Sequence, residues 1–332
     1  MVHPKQPPDE GDRSPTGEDA ALERIGRRLK SRFGPPPPGE TWSGDDAAVV
    51  WVPGARERSS LVLSTDAVVA GVHVDLSLVT LADVGWKALT VAVSDIGAMG
   101  ATPAHALVAL GAEPGTDLEA VADGIAEAAE RWRCPVVGGD LTAAGQLVVS
   151  VAVTGTLAGP GPAVYRSGAR PGDVLFVTGP LGASAAGLRL LRDPRTEVPG
   201  LVDADRRALE AAYRRPVARL AEGREARDAG ATAMMDLSDG LGLDLHRLAA
   251  ASGVGFVLDQ VPVVTGATLE EAVGGGEDYE LLIAAPDDGS LAAGFAARGL
   301  RPPVRIGVCT RDAREHRLGD QSLEATGYQH RF

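Results

Sequence analysis

Short apolar segments of strand length alternate with helix-length segments along this chain from about Gly44 onward. The segments with the composition of buried strands are 47–52, 61–64, 135–139, 146–157, 173–179, 254–259, 280–285 and 304–309. Two helix-length segments begin with capping-box patterns, at Thr80-Leu-Ala-Asp83 and Thr116-Asp-Leu-Glu119. This alternation predicts an α/β (α+β) fold, because each strand can pack its apolar face against a neighbouring helix.

The length and the turn-rich segments predict how the chain is divided. Its 332 residues are enough for about two domains of roughly 150 residues each. Glycine and proline concentrate in 158–173, so we expect an N-terminal domain over 20–157 and a C-terminal domain over 158–332. Residues 1–19 are rich in Pro, Asp, Glu and Gly, a composition typical of a disordered tail.

Charge and composition exclude several classes of protein. The net charge of −13 opposes binding to a phosphate backbone, so we expect no nucleic-acid partner. There is no apolar run of about 18 residues, which argues against a membrane span. The first twenty residues lack the apolar stretch of a signal peptide, so a cytoplasmic protein without a membrane partner is expected. With only Cys134 and Cys309, the chain has no disulfide framework and no cysteine-rich zinc site.

Carboxylates lie next to the ends of the predicted strands, in glycine-rich turns and, for one of them, late in a predicted helix. They are Asp45, Asp46, Asp66, Asp95 (the one in the helix), Asp140, Asp236, Asp239, Glu277 and Asp278. Loops at strand ends are where α/β proteins build ligand sites. Four carboxylates about 5 Å apart would repel one another by roughly 20 kcal/mol in total, which exceeds the stability of ~5–15 kcal/mol of a typical domain. Either the carboxylates are spread out or cations lie among them. Oxygen ligands of this kind select Mg²⁺ over Zn²⁺ and indicate phosphoryl chemistry.

Each of these residues also has a purely structural explanation, and the residues alone leave both explanations open. A single aspartate in a turn commonly closes an Asx turn or caps a helix, as Asp45 or Asp239 would. His73 by itself is an ordinary turn histidine, and Tyr328 by itself is an aromatic that packs a C-terminal segment.

Seven motifs occur in a characteristic order: Gly44-Asp-Asp-Ala-Ala48, Ser64-Thr-Asp66 followed by His73, Ser94-Asp95 followed by Ala98-Met-Gly100, Gly138-Gly-Asp140, Arg166-Ser-Gly-Ala-Arg-Pro-Gly-Asp173, Asp236-Leu-Ser-Asp-Gly-Leu241 and Gly275-Gly-Glu-Asp-Tyr-Glu-Leu281. Together they resemble the thiamine-monophosphate kinase family, which shares a superfamily with aminoimidazole ribonucleotide synthetase, selenophosphate synthetase and a hydrogenase maturation factor. The resemblance spans about residues 20–330. That superfamily binds ATP without a P-loop, and none of the three lysines here lies in a P-loop motif.

The resemblance implies a two-domain synthetase-like fold. Its N-terminal domain would carry a mixed sheet that forms a dimeric barrel with a second subunit, and its C-terminal α/β domain would cover the cleft. The implied reaction transfers a phosphoryl group from ATP to thiamine monophosphate, with several Mg²⁺ ions in each site of a homodimer.

The resemblance also assigns residues. The metal ligands would be Asp46, Ser64, Thr65, Asp66, Asp95, Asp140, Asp236 and Asp239, of which Asp66, Asp95 and Asp140 are the expected catalytic residues. ATP would contact Gly139, Asp140, Arg166 and Ser238, and thiamine monophosphate would contact His73, Glu277 and Tyr328. The chain departs from the family pattern at Val74, Val93 and Leu141, which affects details of the pocket.

The predicted mechanism is direct in-line transfer without a phosphoenzyme. A phosphate monoester has a second pKa near ~6, so at neutral pH the acceptor is already a nucleophile and needs no general base. Two alternatives stay open. One is another ATP-using enzyme of the same superfamily, either a cyclo-ligase or a selenophosphate synthetase, although no cysteine precedes Cys134 as the latter requires. The other is a non-catalytic nucleotide-binding scaffold.

Overall fold

The computed structural model of the chain describes residues 18–52, 60–158, 161–287 and 289–330. Helix α1 (Glu18–Phe33) and residues 34–37, with Gln329 and His330, form a small unit of their own. Residues 38–328 form the main unit, which contains both sheets and the site described below. Of the predicted disordered tail, residues 1–17 lie outside the described residues, and Glu18 and Asp19 begin α1.

The first sheet of the main unit has five strands in the order β1-β2-β5-β3-β4. Their bounds are Ala48–Trp51 (β1), Ser60–Val69 (β2), Thr102–Ala112 (β3), Val136–Ala143 (β4) and Val148–Thr156 (β5). Strands β3 and β4 pair in parallel and the other three pairs are antiparallel. Helix α2 (Leu81–Ala98) packs on this sheet, and α3 (Leu118–Trp132) packs on α2.

Two sequence features fix the helix pair. Thr80 and Asp83 form the predicted capping box at the start of α2, each side chain accepting the other's backbone N–H. Gly85 and Gly124 let α2 and α3 approach closely, because a Cβ atom on Gly124 would lie 1.8 Å from the Ala82 carbonyl oxygen. The buried side chains of the sheet and of α2 then form one hydrophobic cluster, which includes Val151.

The opposite face of the first sheet is open within the described part of the chain. Leu107 is exposed on this face, and at the edge of the sheet every residue of β4 is exposed, including Val137 and Leu141. Strands β1 and β4 are the two edges, so these five strands form an open sheet in this chain.

The second sheet has seven strands in the order β12-β11-β8-β10-β6-β9-β7. Their bounds are Val174–Val177 (β6), Ala233–Asp236 (β7), Gly255–Leu258 (β8), Leu281–Ala285 (β9), Val304–Thr310 (β10), His316–Leu318 (β11) and Gln321–Ser322 (β12). The remaining helices are Ala183–Arg192 (α4), Asp203–Arg214 (α5), Leu220–Asp228 (α6), Leu241–Ser252 (α7), Leu269–Gly274 (α8) and Ser290–Ala297 (α9). Neighbouring residues Met234 and Met235 belong to different hydrophobic clusters, which shows that both faces of this sheet are covered.

The predicted mixed α/β architecture is confirmed, with differences in detail. The capping box predicted at Thr116 is wrong, because Asp117 caps α3 and its side chain accepts the Ala120 N–H. Strand β3 (Thr102–Ala112) was not among the predicted strands. Asp66 and Asp140, which the sequence analysis put just after strands, lie inside β2 and β4. Both strands continue through polar residues, Ser64-Thr-Asp66 in β2 and Asp140 in β4, so no apolar pattern marks their ends. None of the described helices has the length and hydropathy needed to cross a membrane.

Candidate active site

Three of the predicted metal ligands meet in the structure. Asp46 lies two residues before β1, Asp95 lies in the last turn of α2, and Asp236 is the last residue of β7. One carboxylate oxygen from each lies within 4.8 Å of the others. We call Asp46, Asp95 and Asp236 the carboxylate triad. It joins the two halves of the main unit, because Asp46 precedes β1 and Asp95 lies in the helix packed on the first sheet, whereas Asp236 ends a strand of the second sheet.

Hydroxyl groups orient two members of the triad. Ser64 of β2 donates a hydrogen bond to Asp95 Oδ2. The Ser94 hydroxyl, buried in α2, donates to Asp236 Oδ2 at 2.5 Å. The carboxylates therefore have fixed orientations, as ligands of a metal ion must have.

The triad is electrostatically crowded. Burial raises the pKa of Asp95 well above its usual value, and the charges of Asp236, Asp66 and Asp46 raise it further. Burial and the charge of Asp46 likewise raise the pKa of Asp236. Asp46 Oδ2 is buried and has no hydrogen-bond partner among the described residues. A set of hard oxygen donors with excess negative charge and an unsatisfied oxygen fits a divalent cation such as Mg²⁺.

Arg166 supplies positive charge to this site. Its guanidinium donates to Asp46 Oδ1 from Nη2 at 2.6 Å and from Nε at 3.2 Å. Its backbone N–H donates to both carboxylate oxygens of Asp45, at 3.2 and 3.1 Å. Burial and the neighbouring charge of Asp46 raise the pKa of Asp45 to about 7. The predicted ATP-binding arginine thus lies directly against a predicted metal ligand.

Asp66 lies close to the triad, whereas Gly139 and Asp140 do not. The charge of Asp66 contributes to the raised pKa of Asp95. In the sheet, Asp66 pairs with Val151, Val151 with Val108, and Val108 with Gly139. Gly139 is therefore three strand spacings, or about 14 Å, from Asp66, and Asp140 follows it on the edge strand.

A groove of about 780 Å³ lies on the open face of the first sheet and reaches the triad. Its lining includes Trp42, Asp45, Asp46, Ser64, Thr65, His105, Leu107 and Val137. Trp42 and His105 were not singled out in the sequence, where nothing in their spacing distinguishes them from packing residues. The groove brings apolar and aromatic surface next to the carboxylates.

Three loops that carry predicted binding residues are joined through their backbones. The N–H of Glu277 donates to the Ser238 carbonyl at 2.7 Å, and the N–H of Tyr328 donates to the Asp239 carbonyl at 2.9 Å. Gly276 allows the close approach, since a Cβ atom there would lie 2.6 Å from the Ser238 oxygen. Glu277, Tyr328 and Ser238 are therefore neighbours in space, as predicted substrate-binding and ATP-binding residues should be.

Asp239 lies outside the triad. Its carboxylate forms an ion pair with Arg247, which also pairs with Asp244 at 3.1 Å. Asp244 in turn accepts the backbone N–H groups of Asp239 and Gly240, at 3.0 and 3.2 Å. The capping role considered in the sequence for Asp239 is not seen: Gly240 is the N-cap of α7 without a side-chain capping bond, and Asp244 in the first turn accepts the N–H groups that precede the helix.

His73 lies in the turn that follows β2. Its Nδ1 accepts the backbone N–H of Val69 at 3.0 Å, which orients the ring. Lys87 is a residue that the sequence reasoning left without a role. It lies in α2 and its ammonium group contacts the Glu277 carboxylate. The available signal was a lysine within the largely apolar segment 84–93, although nothing in that segment points to Glu277 as its partner.

The chain matches two family models, described as the N-terminal and C-terminal domains of AIR synthase related proteins, over residues 44–157 and 170–318. Thiamine-monophosphate kinase of Corynebacterium glutamicum is 38% identical over 276 residues, which cover 79% of this chain and 81% of that protein. The Salmonella typhimurium enzyme of the same name is 40% identical over 261 residues, which cover 75% and 77%.

Solved structures of similar fold indicate the same family as the sequence relatives. A structure described as AaThiL complexed with AMPPCP and TMP has a TM-score of 0.79 and 31% identity, covering 95% of this chain and 97% of that one. The thiamine monophosphate kinase of Aquifex aeolicus has a TM-score of 0.74 and 30% identity, with 93% and 98% covered. From this similarity along most of both chains, we conclude that the chain belongs to the thiamine-monophosphate kinase family.

Proposed function

We propose that this chain transfers the terminal phosphoryl group of ATP to thiamine monophosphate, giving ADP and thiamine diphosphate. The observation that carries the proposal is the carboxylate triad, in which residues 46, 95 and 236 meet from both sheets. The curated relatives of this chain are named thiamine-monophosphate kinase. A similar solved structure is described as a complex with TMP and AMPPCP, an analogue of ATP.

We infer that Mg²⁺ binds at the triad. Asp46, Asp95 and Asp236 would hold it, with Ser64, Thr65 and Asp66 close by on β2. When bound, Mg²⁺ neutralises polyphosphate oxygens and keeps the donor and acceptor in line. Several ions in each site remain the expectation from the family, and the roles of Asp140 and Asp239 as ligands remain predictions.

The nucleotide fits the groove beside the triad. Arg166 has a planar guanidinium that can hold two phosphate oxygens at once, and it already lies within hydrogen-bond distance of Asp46. A cation at the triad would compete with Arg166 for the Asp46 carboxylate. The guanidinium of Arg166 would then be able to bind phosphate oxygens of the nucleotide. Ser238 and Gly139 are further candidates for contacts with ATP.

The residues support direct transfer. The acceptor phosphate is dianionic at neutral pH and needs no base, so the protein has to bring two anions together and position them. Arg166 supplies charge, while Ser64 and Ser94 fix the orientation of the carboxylates. A phosphorylated protein trapped from labelled ATP would contradict this mechanism.

We propose that the chain forms a homodimer through the open face of the first sheet. A wholly exposed edge strand with apolar residues is uncommon in a monomer, because it invites pairing with another chain. Leu141 is 62% exposed and Val137 is 60% exposed. A second copy on this face would complete the barrel implied by the family and cover the groove.

We also propose the division into domains of residues 20–157 and 158–332, because one sheet lies on each side of this boundary. A location in the cytoplasm remains a prediction from the sequence.

A coupled assay of ADP release tests the function. The protein is given ATP and Mg²⁺ with thiamine monophosphate, with an aminoimidazole precursor, or with no acceptor. We expect turnover only with thiamine monophosphate. Turnover with the precursor would indicate a cyclo-ligase, and nucleotide binding without turnover would indicate a scaffold. Asp320→Asn serves as the matched control, since that carboxylate is fully exposed and distant in sequence from the site motifs.

A further inference from the structure

Lys87 is a buried charge within a largely apolar segment of α2, residues 84–93. It is fully buried in α2, yet its Nζ lies 2.9 Å from both carboxylate oxygens of Glu277. Removing an ammonium group from water costs several kcal/mol unless it is paired, so a lysine at such a position depends on its partner. The partner lies 190 residues away in the sequence and belongs to the loop before β9.

The aromatic ring of Tyr213 is a second contact of the buried Lys87 ammonium group. The Lys87 ammonium lies 4.3 Å from the centroid of this ring, within the range of a cation–π interaction. Tyr213 is buried in α5, whose last residue, Arg214, donates to the Leu78 carbonyl at 2.9 Å. The elements around the Lys87 ammonium therefore also contact the segment that follows His73.

Glu277 has a backbone conformation that needs support. Its φ angle is +66°, in the left-handed region that few residues other than glycine adopt, and Tyr279 is also left-handed at +50°. Such a conformation costs about 1 kcal/mol or more and persists where surrounding contacts fix it. The ion pair with Lys87 is a contact of this kind.

The Glu277 carboxylate is not enclosed by this contact. Its side chain keeps 25% of its surface exposed, whereas that of Lys87 keeps 1%. A carboxylate can accept about four hydrogen bonds, so its open side can still accept donors. Thiamine monophosphate offers an amino group on its pyrimidine ring and a cationic thiazolium ring, and both suit a carboxylate.

We propose that Lys87 is a positioning residue for thiamine monophosphate: by holding both oxygens of Glu277 from the buried side, it presents the carboxylate to the cationic part of the substrate. This inference deepens the proposed function and rests on it. Among the described residues, the Lys87 ammonium contacts the side chains of Glu277 and Tyr213, so we expect its effect to fall on thiamine monophosphate rather than on ATP.

Steady-state kinetics of Lys87→Met test the proposal, because methionine keeps the length of the side chain and removes its charge. We expect the KM for thiamine monophosphate to rise at least tenfold, the KM for ATP to change less than twofold, and kcat to change less than threefold. Arg215→Met is the matched control. It removes another cation between α5 and α2, one that pairs with Asp83 at 2.5 Å, and it should leave both KM values unchanged.

A double-mutant cycle with Glu277→Gln separates positioning from general stability. If Lys87 acts through Glu277, the double variant K87M/E277Q has the same KM for thiamine monophosphate as E277Q alone. The double variant contains no unpaired charge, so it keeps the test available if K87M does not fold. Additive effects on KM, equal changes in both KM values, or a lower melting temperature with unchanged KM values would each overturn the inference. A wild-type protein that does not phosphorylate thiamine monophosphate would instead overturn the proposed function.

Discussion

The Ser94 hydroxyl lies 2.5 Å from Asp236 Oδ2 and thereby connects the last turns of α2 to the end of β7. The next residue, Asp95, belongs to the carboxylate triad itself. Ser94 thus orients the triad carboxylate from the second sheet, while its neighbour in α2 supplies another. The position of the triad depends on how the two sheets pack and on this hydrogen bond.

Asp95→Asn should abolish phosphoryl transfer without unfolding the protein. We expect a loss of activity of at least 1000-fold, because a neutral amide is a poor ligand for Mg²⁺. Without metal, the variant should be as stable as the wild type or more stable, since the substitution removes a charge that Asp236, Asp66 and Asp46 crowd. Activity assays and urea unfolding in EDTA provide the measurements. Loss of the fold would instead favour a structural role for Asp95.

Mg²⁺ should stabilise the wild-type protein against heat. A ligand at 100 times its Kd adds about 2.7 kcal/mol to the stability of the folded state, which corresponds to a rise of about 5 °C in Tm for a chain of this size. Differential scanning fluorimetry with and without MgCl₂ measures the shift. We expect Asp46→Asn to lose it and Asp320→Asn to keep it. An identical shift in all three proteins would place the ion elsewhere.

The buried carboxyl group of Asp278 should make stability depend on pH. Burial raises its pKa to about 7, although the backbone N–H groups of Gly182 and Ser184 donate to it and lower the pKa. Between the ordinary value of 3.8 and about 7, the folded protein keeps a proton that the unfolded chain has lost. The contribution of Asp278 to stability is therefore present below this range and is lost as the pH rises through it.

The variant Asp278→Asn has an amide that does not titrate at this position. Comparing it with the wild type therefore isolates the contribution of Asp278 to the pH dependence of stability. From pH 5 to pH 7, the stability of the wild type should fall by about 2 kcal/mol more than that of the variant. Urea unfolding at four pH values in EDTA gives the comparison. Parallel pH profiles for the two proteins would contradict the raised pKa.

Leu141→Glu should separate the proposed homodimer. The substitution places a charge on the exposed edge strand β4, so we expect a monomer of half the mass by light scattering, with a loss of activity if the barrel completes the site. Val202→Glu is the matched control, because Val202 is 57% exposed and precedes α5, away from the first sheet. The interface would be ruled out if the wild type had the mass of a monomer. It would also be ruled out if the Leu141→Glu variant kept the mass of a wild-type dimer.

Gly124→Ala should destabilise the main unit by about 1–3 kcal/mol. The added Cβ atom would lie 1.8 Å from the Ala82 carbonyl oxygen, so α2 and α3 would have to move apart. In Gly26→Ala the new atom meets nothing within 4 Å, and alanine there should stabilise α1 slightly. Urea unfolding of the two variants tests the contrast.

The sequence by itself determined the α/β alternation, the capping box at Thr80 and the chemical type of the site. These follow from local patterns, since a helix cap and an apolar period each depend on residues a few positions apart. The motifs, through the family resemblance, also included Asp46, Asp95 and Asp236 among the expected metal ligands; the structure brings these three carboxylates together, and their role as ligands stays a prediction. Where the local signal was weak, as along β3 and beyond Asp66 in β2, the strand bounds were missed or too short.

The tertiary structure alone decided which of these residues meet. Asp140 carries the same motif signal as Asp95, yet it lies on the edge strand, because strand order and register are set by packing across the whole sheet. The pair of Lys87 and Glu277 left no trace in the local pattern, because its members are 190 residues apart and only the packing of the two sheets' helices and loops brings them within 2.9 Å. A local sequence pattern specifies the elements and the chemistry available, whereas contacts between distant residues arise only when the elements pack.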